Sequence, residues 1–285
     1  MTVAVARPEP AAVDADEAKR ARLRRLQAVG QYLLPLIVFV LVIWLWDRVV
    51  VWNAIPKYIL PGPGLVWSTL WKDAAILFPA ALITLRVAMM ALLIAVLVGA
   101  GLAILFDLSK WVEMSLYPYA VILQVTPLVA VAPLIFIYVD NRIVGLLICA
   151  SVVGVFPILS NMTLGLKSTD HNLRDLYQIY GANRWQRLRY LQLPNAMPHF
   201  LVGLRIAGGL SLIGAIVAEF VAGTGGIGSG LAFRIQEAGY RLNIPRMFAA
   251  LLLIAASGVA IFAALSVLSH LMLRKWHESA LDRET

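Results

Sequence analysis

Apolar blocks of roughly 20 residues recur along this sequence, and they constrain its fold more than any other feature. A helix needs about 20 residues to cross the roughly 30 Å apolar layer of a membrane. Of the 285 residues, 61% are hydrophobic and 14% are charged, whereas soluble domains carry about a quarter charged residues. The blocks lack the in–out alternation of membrane β-strands. The sequence therefore predicts an all-α integral membrane protein.

Six transmembrane helices are predicted, at about 31–51, 76–106, 112–138, 143–160, 200–222 and 246–273. A polar, basic segment at 161–198 separates the fourth helix from the fifth. Residues 1–28 form a longer polar stretch than the start of a signal peptide, so we expect a disordered tail. The transmembrane domain then spans 29–285, with its core at 80–275.

Lys and Arg are distributed unevenly between the two sets of loops that these helices create. The termini and the 161–198 segment carry about twice as many basic residues as the loops on the opposite side. Cytoplasmic loops of membrane proteins show this excess. Both termini and the 161–198 segment are therefore predicted to be cytoplasmic. The net charge of +8 follows from this topology, and no nucleic-acid partner is expected.

The segment YQIYGANRWQRLRYLQLP, residues 177–194, has the pattern of two short helices around Gly181. Asn183 is placed to cap the second helix, and Pro194 is expected to end it. Apolar residues recur at helical spacing in both halves: Leu173, Leu176, Ile179 and Tyr180, then Trp185, Leu188 and Leu191. Such a hairpin must cover its apolar side, either with its own membrane helices and lipid head groups or with a soluble partner.

The spacing in this segment resembles the "EAA" loop in the inner-membrane permeases of binding-protein-dependent ABC importers. That pattern is E-A-A, three residues, G, nine residues, I, one residue and L-P. Here Asp175-Leu176-Tyr177 is followed by Gly181 and then by Leu191 and Leu193-Pro194 at matching intervals. The opening triplet keeps only the acidic first residue.

Three other stretches resemble the nitrate/sulfonate/taurine branch of the same permeases, namely QVTPLVAVAPLIFIY, PHFLVGLRIAGG and VAEFVAGTGGIG, and ITLRV resembles the start of the core of that fold. Together the resemblances extend over about 80–240. They imply the MetI-like fold of type I ABC importers, in a bacterial inner membrane. They also imply that the hairpin is a coupling helix docked on an ATPase. The residues assigned to coupling on this basis are Asp175, Tyr177, Gly181, Ala182, Arg184, Trp185, Leu191, Leu193 and Pro194.

The resemblance further implies the partners: two cytoplasmic ATPase subunits, a second permease copy that forms a homodimer, and an extracytoplasmic solute-binding protein. ATP and magnesium would bind to the ATPase, and no cofactor is expected in this chain. The sequence has no G-x-x-x-x-G-K-[ST] motif. Its glycine run GTGGIGSG, residues 223–230, is read as a flexible turn or an outer gate element. Catalytic motifs are also missing, so an enzyme is not expected.

Polar residues inside the apolar blocks are candidates for the translocation path or its gates. Gln124 and Thr126 lie beside Pro127, which can bend the third helix. Arg205 either reaches the interface or pairs inside the protein. Glu219 has either a gate or fold role, or simple interfacial exposure.

The predicted function is therefore that of a permease subunit that imports a small solute such as nitrate, a sulfonate, taurine or a related anion. A thiamine-precursor pyrimidine is an alternative cargo within the same architecture. An ion-coupled secondary transporter is a second alternative, although it would need coupling carboxylates near the membrane midplane.

Overall fold

The computed structural model describes residues 10–223 and 228–274, with residues 10–29 and 32 described by their backbone alone. All regular elements in these ranges are helical. They are α1 (Pro10–Trp52), α2 (Pro63–Lys72), α3 (Ala74–Leu108), α4 (Lys110–Val125), α5 (Leu128–Tyr138), α6 (Arg142–Lys167), α7 (His171–Ile179), α8 (Arg184–Arg187), a π-helical turn (Leu188–Gln192), α9 (Leu193–Ala222), α10 (Leu231–Tyr240) and α11 (Ile244–Leu273).

The chain divides into two compact units between Leu65 and Val66. The first unit contains α1, in which Leu33–Trp52 is long and apolar enough to cross a membrane. The helix begins at Pro10, so the structure differs from the predicted disordered tail over residues 10–28. Ala, Leu, Arg, Lys and Glu dominate that stretch, and all five favour helix. Residues 1–9 of the predicted tail lie outside the described residues.

The second unit is built around α3, α6 and α9, which approach closely because small residues lie at their contacts. An added Cβ at Gly214 of α9 would lie 2.9 Å from the Cα of Ala150 in α6. An added Cβ at Gly99 of α3 would lie 2.8 Å from the Cβ of Ile158 in α6. The small residues of the fifth predicted span thus serve packing within the chain.

The contacts of these helices also give their directions. Gly99 meets Ile158 while Gly154 meets Ala95, so α3 and α6 run parallel. The chain between them must return to the starting side, and α4 with α5 provides that crossing. Counting this pair as one span gives up to six candidate spans among the described residues, in agreement with the prediction.

The third predicted span, at 112–138, is two helices rather than one. The axes of α4 and α5 differ by 104°, and the break falls at Thr126–Pro127. Thr126 has extended backbone angles (φ −72°, ψ 124°), the conformation favoured before proline. Because Pro127 has no N–H, it cannot continue the hydrogen-bond ladder of α4.

Two other boundaries also differ from the prediction. Helix α6 extends to Lys167 instead of residue 160, and α9 begins at Leu193, so the segment between membrane helices is 168–192. The reason is packing: an added Cβ at Gly165 would lie 2.9 Å from the Cα of Ala196. The connection before the last span contains α10, a helix that was not predicted from the sequence.

Candidate coupling segment and translocation cavity

Helix α7 begins the segment that joins α6 to α9. Its first turn is capped by Asp170, whose Oδ1 accepts a hydrogen bond from the N–H of Asn172 at 2.8 Å. The predicted amphipathic helix is present. Its apolar side chains are not covered by the described chain, since Ile179 is 81% exposed and Tyr180 is 82% exposed. This surface is therefore open to a partner.

Gly181 terminates α7 in a left-handed conformation, with φ +71°. The N–H of Ala182 donates to the carbonyl of Tyr177 at 2.9 Å, and the N–H of Gly181 donates to that of Gln178 at 3.0 Å. These two bonds form a Schellman motif, in which glycine is favoured because L side chains disfavour this φ. No atom lies within 4 Å of a Cβ added at Gly181. Backbone conformation, not crowding within the chain, therefore favours glycine here.

Asn183 caps the second helix as predicted. Its Oδ1 accepts from the N–H of Gln186 at 2.8 Å, and its own N–H donates to Oε1 of Gln186 at 2.8 Å. This reciprocal capping box fixes the start of α8 directly after the bend. The hairpin geometry thus depends on Gly181 for the turn and on Asn183 for the new helix.

Pro194 does not end the second helix, which corrects the prediction. The helical run continues from Arg184 to Ala222. The π-helical turn places the N–H of Leu193 on the carbonyl of Leu188, five residues back. Pro194 follows at the second position of α9, where a missing N–H costs little because the wider turn leaves it without an obligatory partner.

One face of this run is anchored to the membrane helices. Leu188 is completely buried in a cluster with Phe106 and Leu166. Nε2 of the buried Gln192 donates to Oδ1 of Asp107, at the end of α3, at 2.8 Å. The predicted stripe of Trp185, Leu188 and Leu191 is therefore divided, because Leu188 faces the bundle while Trp185 is exposed.

The open face of the segment contains a hollow of about 470 Å³ between α7 and the π-helical turn. Its lining includes three predicted coupling residues, Tyr177, Gly181 and Ala182. Four residues outside the predicted coupling set also line it: Leu176, Tyr180, Gln186 and Tyr190. The sequence feature that could have indicated this surface is the presence of the aromatic residues Tyr180 and Tyr190 in a polar segment.

The other predicted coupling residues lie outside this hollow. Asp175, Arg184 and Trp185 are exposed, and Nη1 of Arg184 donates to the carbonyl of Leu108 at 3.3 Å. Leu191, Leu193 and Pro194 are partly buried on the run that continues into α9. The predicted coupling residues therefore fall into two groups. One group lies on the exposed face of the hairpin, and the other lies on the helical run that packs against the membrane helices.

A second cavity, of about 480 Å³, lies inside the bend between α4 and α5. Gln124 and Thr126, both predicted path residues, contribute to its lining. Thr126 Oγ1 donates to the carbonyl of Ile122 at 2.7 Å, and Pro127 forms the break. The other lining residues are Leu123, Leu128, Val131, Ile135, Val152, Val153, Pro157 and Leu210.

Arg205 and Glu219 do not line this cavity. Nε of Arg205 donates to Oγ of the buried Ser269 in α11 at 3.1 Å, so it pairs inside the protein with a hydroxyl. Glu219 is 1% exposed, which excludes simple interfacial exposure in the described chain. Its carboxylate accepts hydrogen bonds from the hydroxyl of Thr84 and the N–H of Ala232.

Comparison with known proteins places this geometry among permeases. Residues 91–274 match the family described as "Binding-protein-dependent transport system inner membrane component". The chain is 33% identical to the riboflavin transport system permease protein RibX of Chloroflexus aurantiacus, over 90% of this chain and 96% of that protein. It is 29% identical to the formylaminopyrimidine transport permease protein ThiX of Halalkalibacterium halodurans, over 85% of this chain and 96% of that protein.

A third relative is the taurine transport system permease protein TauC of Escherichia coli, 30% identical over 75% of this chain and 72% of that protein. Two solved structures share the fold. An amino acid ABC transporter matches with a TM-score of 0.58 and 20% identity, over 73% of this chain and 97% of that chain. The MetNI methionine ABC transporter matches with a TM-score of 0.59 and 18% identity, over 70% of this chain and 97% of that chain. The predicted MetI-like fold is thus confirmed.

Proposed function

Because this chain belongs to the family of binding-protein-dependent transport system inner membrane components and is the permease subunit of an ABC importer, we propose that it carries a small neutral nitrogen heterocycle. The cargo class is that of flavins and pyrimidines. It is supported by the similarity to RibX and ThiX, which extends over most of the chain.

The observation that carries the proposal is the lining of the cavity at the bend between α4 and α5. Among the described residues that line it, none is charged, and Gln124 and Thr126 supply its side-chain polar groups. Ligand sites commonly combine an apolar lining with a few placed polar groups. A heterocycle would use the apolar walls for its ring and the amide of Gln124 for its carbonyls and ring nitrogens, and the Thr126 hydroxyl, whose proton is donated to Ile122, would accept from a ring N–H.

A small anion such as taurine, a sulfonate or nitrate is the second candidate. The similarity to TauC favours it. An anion leaving water needs cationic groups or several N–H donors, since an unpaired buried charge is expensive. The cavity lining offers no Lys or Arg among the described residues, so the heterocycle is favoured.

The open face of α7 and α8 is the proposed docking surface for the ATPase subunit. Exposed aromatic side chains surround a hollow there, and Leu188 and Gln192 fix the opposite face to the membrane helices. A displacement of this surface by the ATPase would therefore be transmitted to α3 and α9, because the segment is packed against both helices and does not hang from a flexible loop. ATP and magnesium would bind to the ATPase, and this chain would carry no cofactor.

The assembly proposed for transport contains two copies of this chain, two ATPase subunits and one solute-binding protein. Both termini and residues 168–192 face the cytoplasm, as the distribution of Lys and Arg favours. The membrane is the bacterial inner membrane. Lys275 and Arg283, two of the basic residues behind this orientation, lie outside the described residues.

Direct uptake of labelled solutes tests the cargo class. The assembled importer in proteoliposomes is given radiolabelled riboflavin, formylaminopyrimidine, taurine or nitrate, with ATP inside the vesicles. We expect ATP-dependent uptake of a heterocycle. ATP-dependent uptake of taurine or nitrate alone would refute the cargo class and favour the second candidate.

Two substitutions of opposite charge at Gln124 provide a matched control. For a neutral cargo, Gln124→Glu and Gln124→Lys should lower uptake to a similar degree, because each introduces a charge into an apolar lining. For an anionic cargo, Gln124→Glu should be far more damaging than Gln124→Lys.

A further inference from the structure

Two side-chain hydrogen bonds connect α3 to the continuous helical run formed by the π-helical turn and α9, and they lie toward opposite ends of α3. At one end, Asp107 accepts the hydrogen bond from Gln192 at 2.8 Å. Near the opposite end, the hydroxyl of Thr84 donates to both carboxylate oxygens of Glu219, at 2.9 and 3.0 Å. Thr84 and Asp107 are 23 positions apart in the numbering, which corresponds to about 35 Å along a helix.

The Thr84–Glu219 contact also holds the first turn of α10. The N–H of Leu231 donates to Oγ1 of Thr84 at 2.8 Å, and the N–H of Ala232 donates to Oε2 of Glu219 at 3.2 Å. The first N–H groups of a helix have no partner within it. Side chains from α3 and α9 therefore supply the partners that two of these groups need.

Gly230 allows the carboxylate to come this close to α10. A Cβ added at Gly230 would lie 2.0 Å from Oε1 of Glu219, far inside van der Waals contact. The φ of Gly230 is −83°, so its backbone does not require glycine. The absence of a side chain at this position makes room for Glu219.

This contact is expensive to break. Thr84 and Glu219 are each 1% exposed. Separating Thr84, Glu219 and the first turn of α10 from one another would leave a hydroxyl, two N–H groups and a carboxylate without these partners. An unsatisfied buried polar group costs about 1–3 kcal/mol, and a charged one costs more.

We propose that Thr84, Glu219 and Gly230 form a permanent strut, which holds the N-terminus of α10 on α3 and α9 throughout the transport cycle. Helix α10 then moves with the membrane helices as one body and does not open as an independent gate. Thr84 and Glu219 are positioning residues in this arrangement. The inference rests on the proposed ATP-driven cycle, because it concerns what stays together while the permease changes conformation.

Amide hydrogen exchange in the unaltered chain is the first test. The assembled transporter in lipid nanodiscs is compared without nucleotide and during ATP turnover, and exchange is resolved at Leu231 and Ala232. We expect both amides to exchange equally slowly in the two conditions. An acceleration of about tenfold or more during turnover would mean that the contact opens in each cycle, and the strut would be refuted.

Variants of Thr84 provide the second test. Thr84→Val removes the hydroxyl at nearly constant shape, whereas Thr84→Ser retains it. We expect Thr84→Val to accelerate exchange at Leu231 by about tenfold and to lower the solute transported per ATP hydrolysed, and Thr84→Ser to restore both. A parallel fall in transport and ATP hydrolysis, or wild-type behaviour of Thr84→Val, would overturn the proposal.

The same exchange data separate this inference from the proposed function. Binding of the ATPase should slow exchange in α7 and α8, far from Thr84. If it does not, the docking proposal fails. Exchange at Leu231 in the Thr84→Val chain alone still decides the strut, because unchanged exchange there would show that the hydroxyl holds nothing.

Discussion

The bend at Gly181 offers the sharpest test of the proposed docking on an ATPase, through the substitution Gly181→Ala. The φ of +71° places residue 181 in the left-handed region, and no atom lies within 4 Å of an added Cβ. Crowding within the chain therefore contributes nothing, and the cost is that of the backbone alone. For an L residue this is about 1–2 kcal/mol.

That cost acts on the equilibrium between the bent hairpin and other conformations of the segment. A difference of 1.4 kcal/mol corresponds to about a tenfold change in an equilibrium constant, so the competent fraction is reduced by at most about five- to thirtyfold. Where the bend remains the dominant conformation, the apparent affinity falls by less. The core formed by α3, α6 and α9 does not share this strain, so the thermal stability of the bundle should stay unchanged.

The assay is titration of the purified permease in nanodiscs with its ATPase subunit, read out as ATPase binding and as ATP-driven transport. We expect Gly181→Ala to weaken binding several-fold, with an upper limit of about thirtyfold. Gly181→Asn should weaken it less, because asparagine tolerates the left-handed region better. Gly209→Ala is the matched control, since Gly209 lies in α9 with no atom within 4 Å of an added Cβ.

Equal weakening by Gly181→Ala and Gly181→Asn would show that the side chain collides with the partner, so that backbone strain is not the cause. Wild-type affinity in Gly181→Ala would refute the argument that this bend must be pre-formed.

Three further substitutions have definite expected outcomes. Leu188→Ala should lower the stability of the bundle by about 2–5 kcal/mol in a denaturation assay, because Leu188 is fully buried, whereas Tyr190→Ala should not; equal stability of the two would contradict the anchored face. Pro127→Ala restores an N–H at the break and should lower transport more than ATP hydrolysis, whereas Pro133→Ala, inside α5, should not; equal effects would argue against a role for the bend. Gly214→Ala should cost about 1–3 kcal/mol in the same denaturation assay, because its Cβ would meet the backbone of Ala150, and an unchanged stability would mean that α6 and α9 separate easily.

The sequence by itself determined the class of the protein and the position of the helical hairpin around Gly181. Helical membrane spans follow from uninterrupted apolar blocks, because lipid offers no hydrogen-bond partner to the backbone. The cap at Asn183 was also readable, since it depends on a side chain and a backbone group three residues apart.

Only the tertiary structure decided the features that depend on contacts between distant residues. Glu219 and Thr84 are 135 positions apart, and nothing local to either residue indicates that they meet. The extension of α6 to Lys167 depends on Gly165 packing against Ala196. The continuation of the second helix through Pro194 required a π-helical turn that residue propensities do not specify. In each case the energy comes from burying surface or pairing polar groups across helices, and a linear pattern does not record which helices come together.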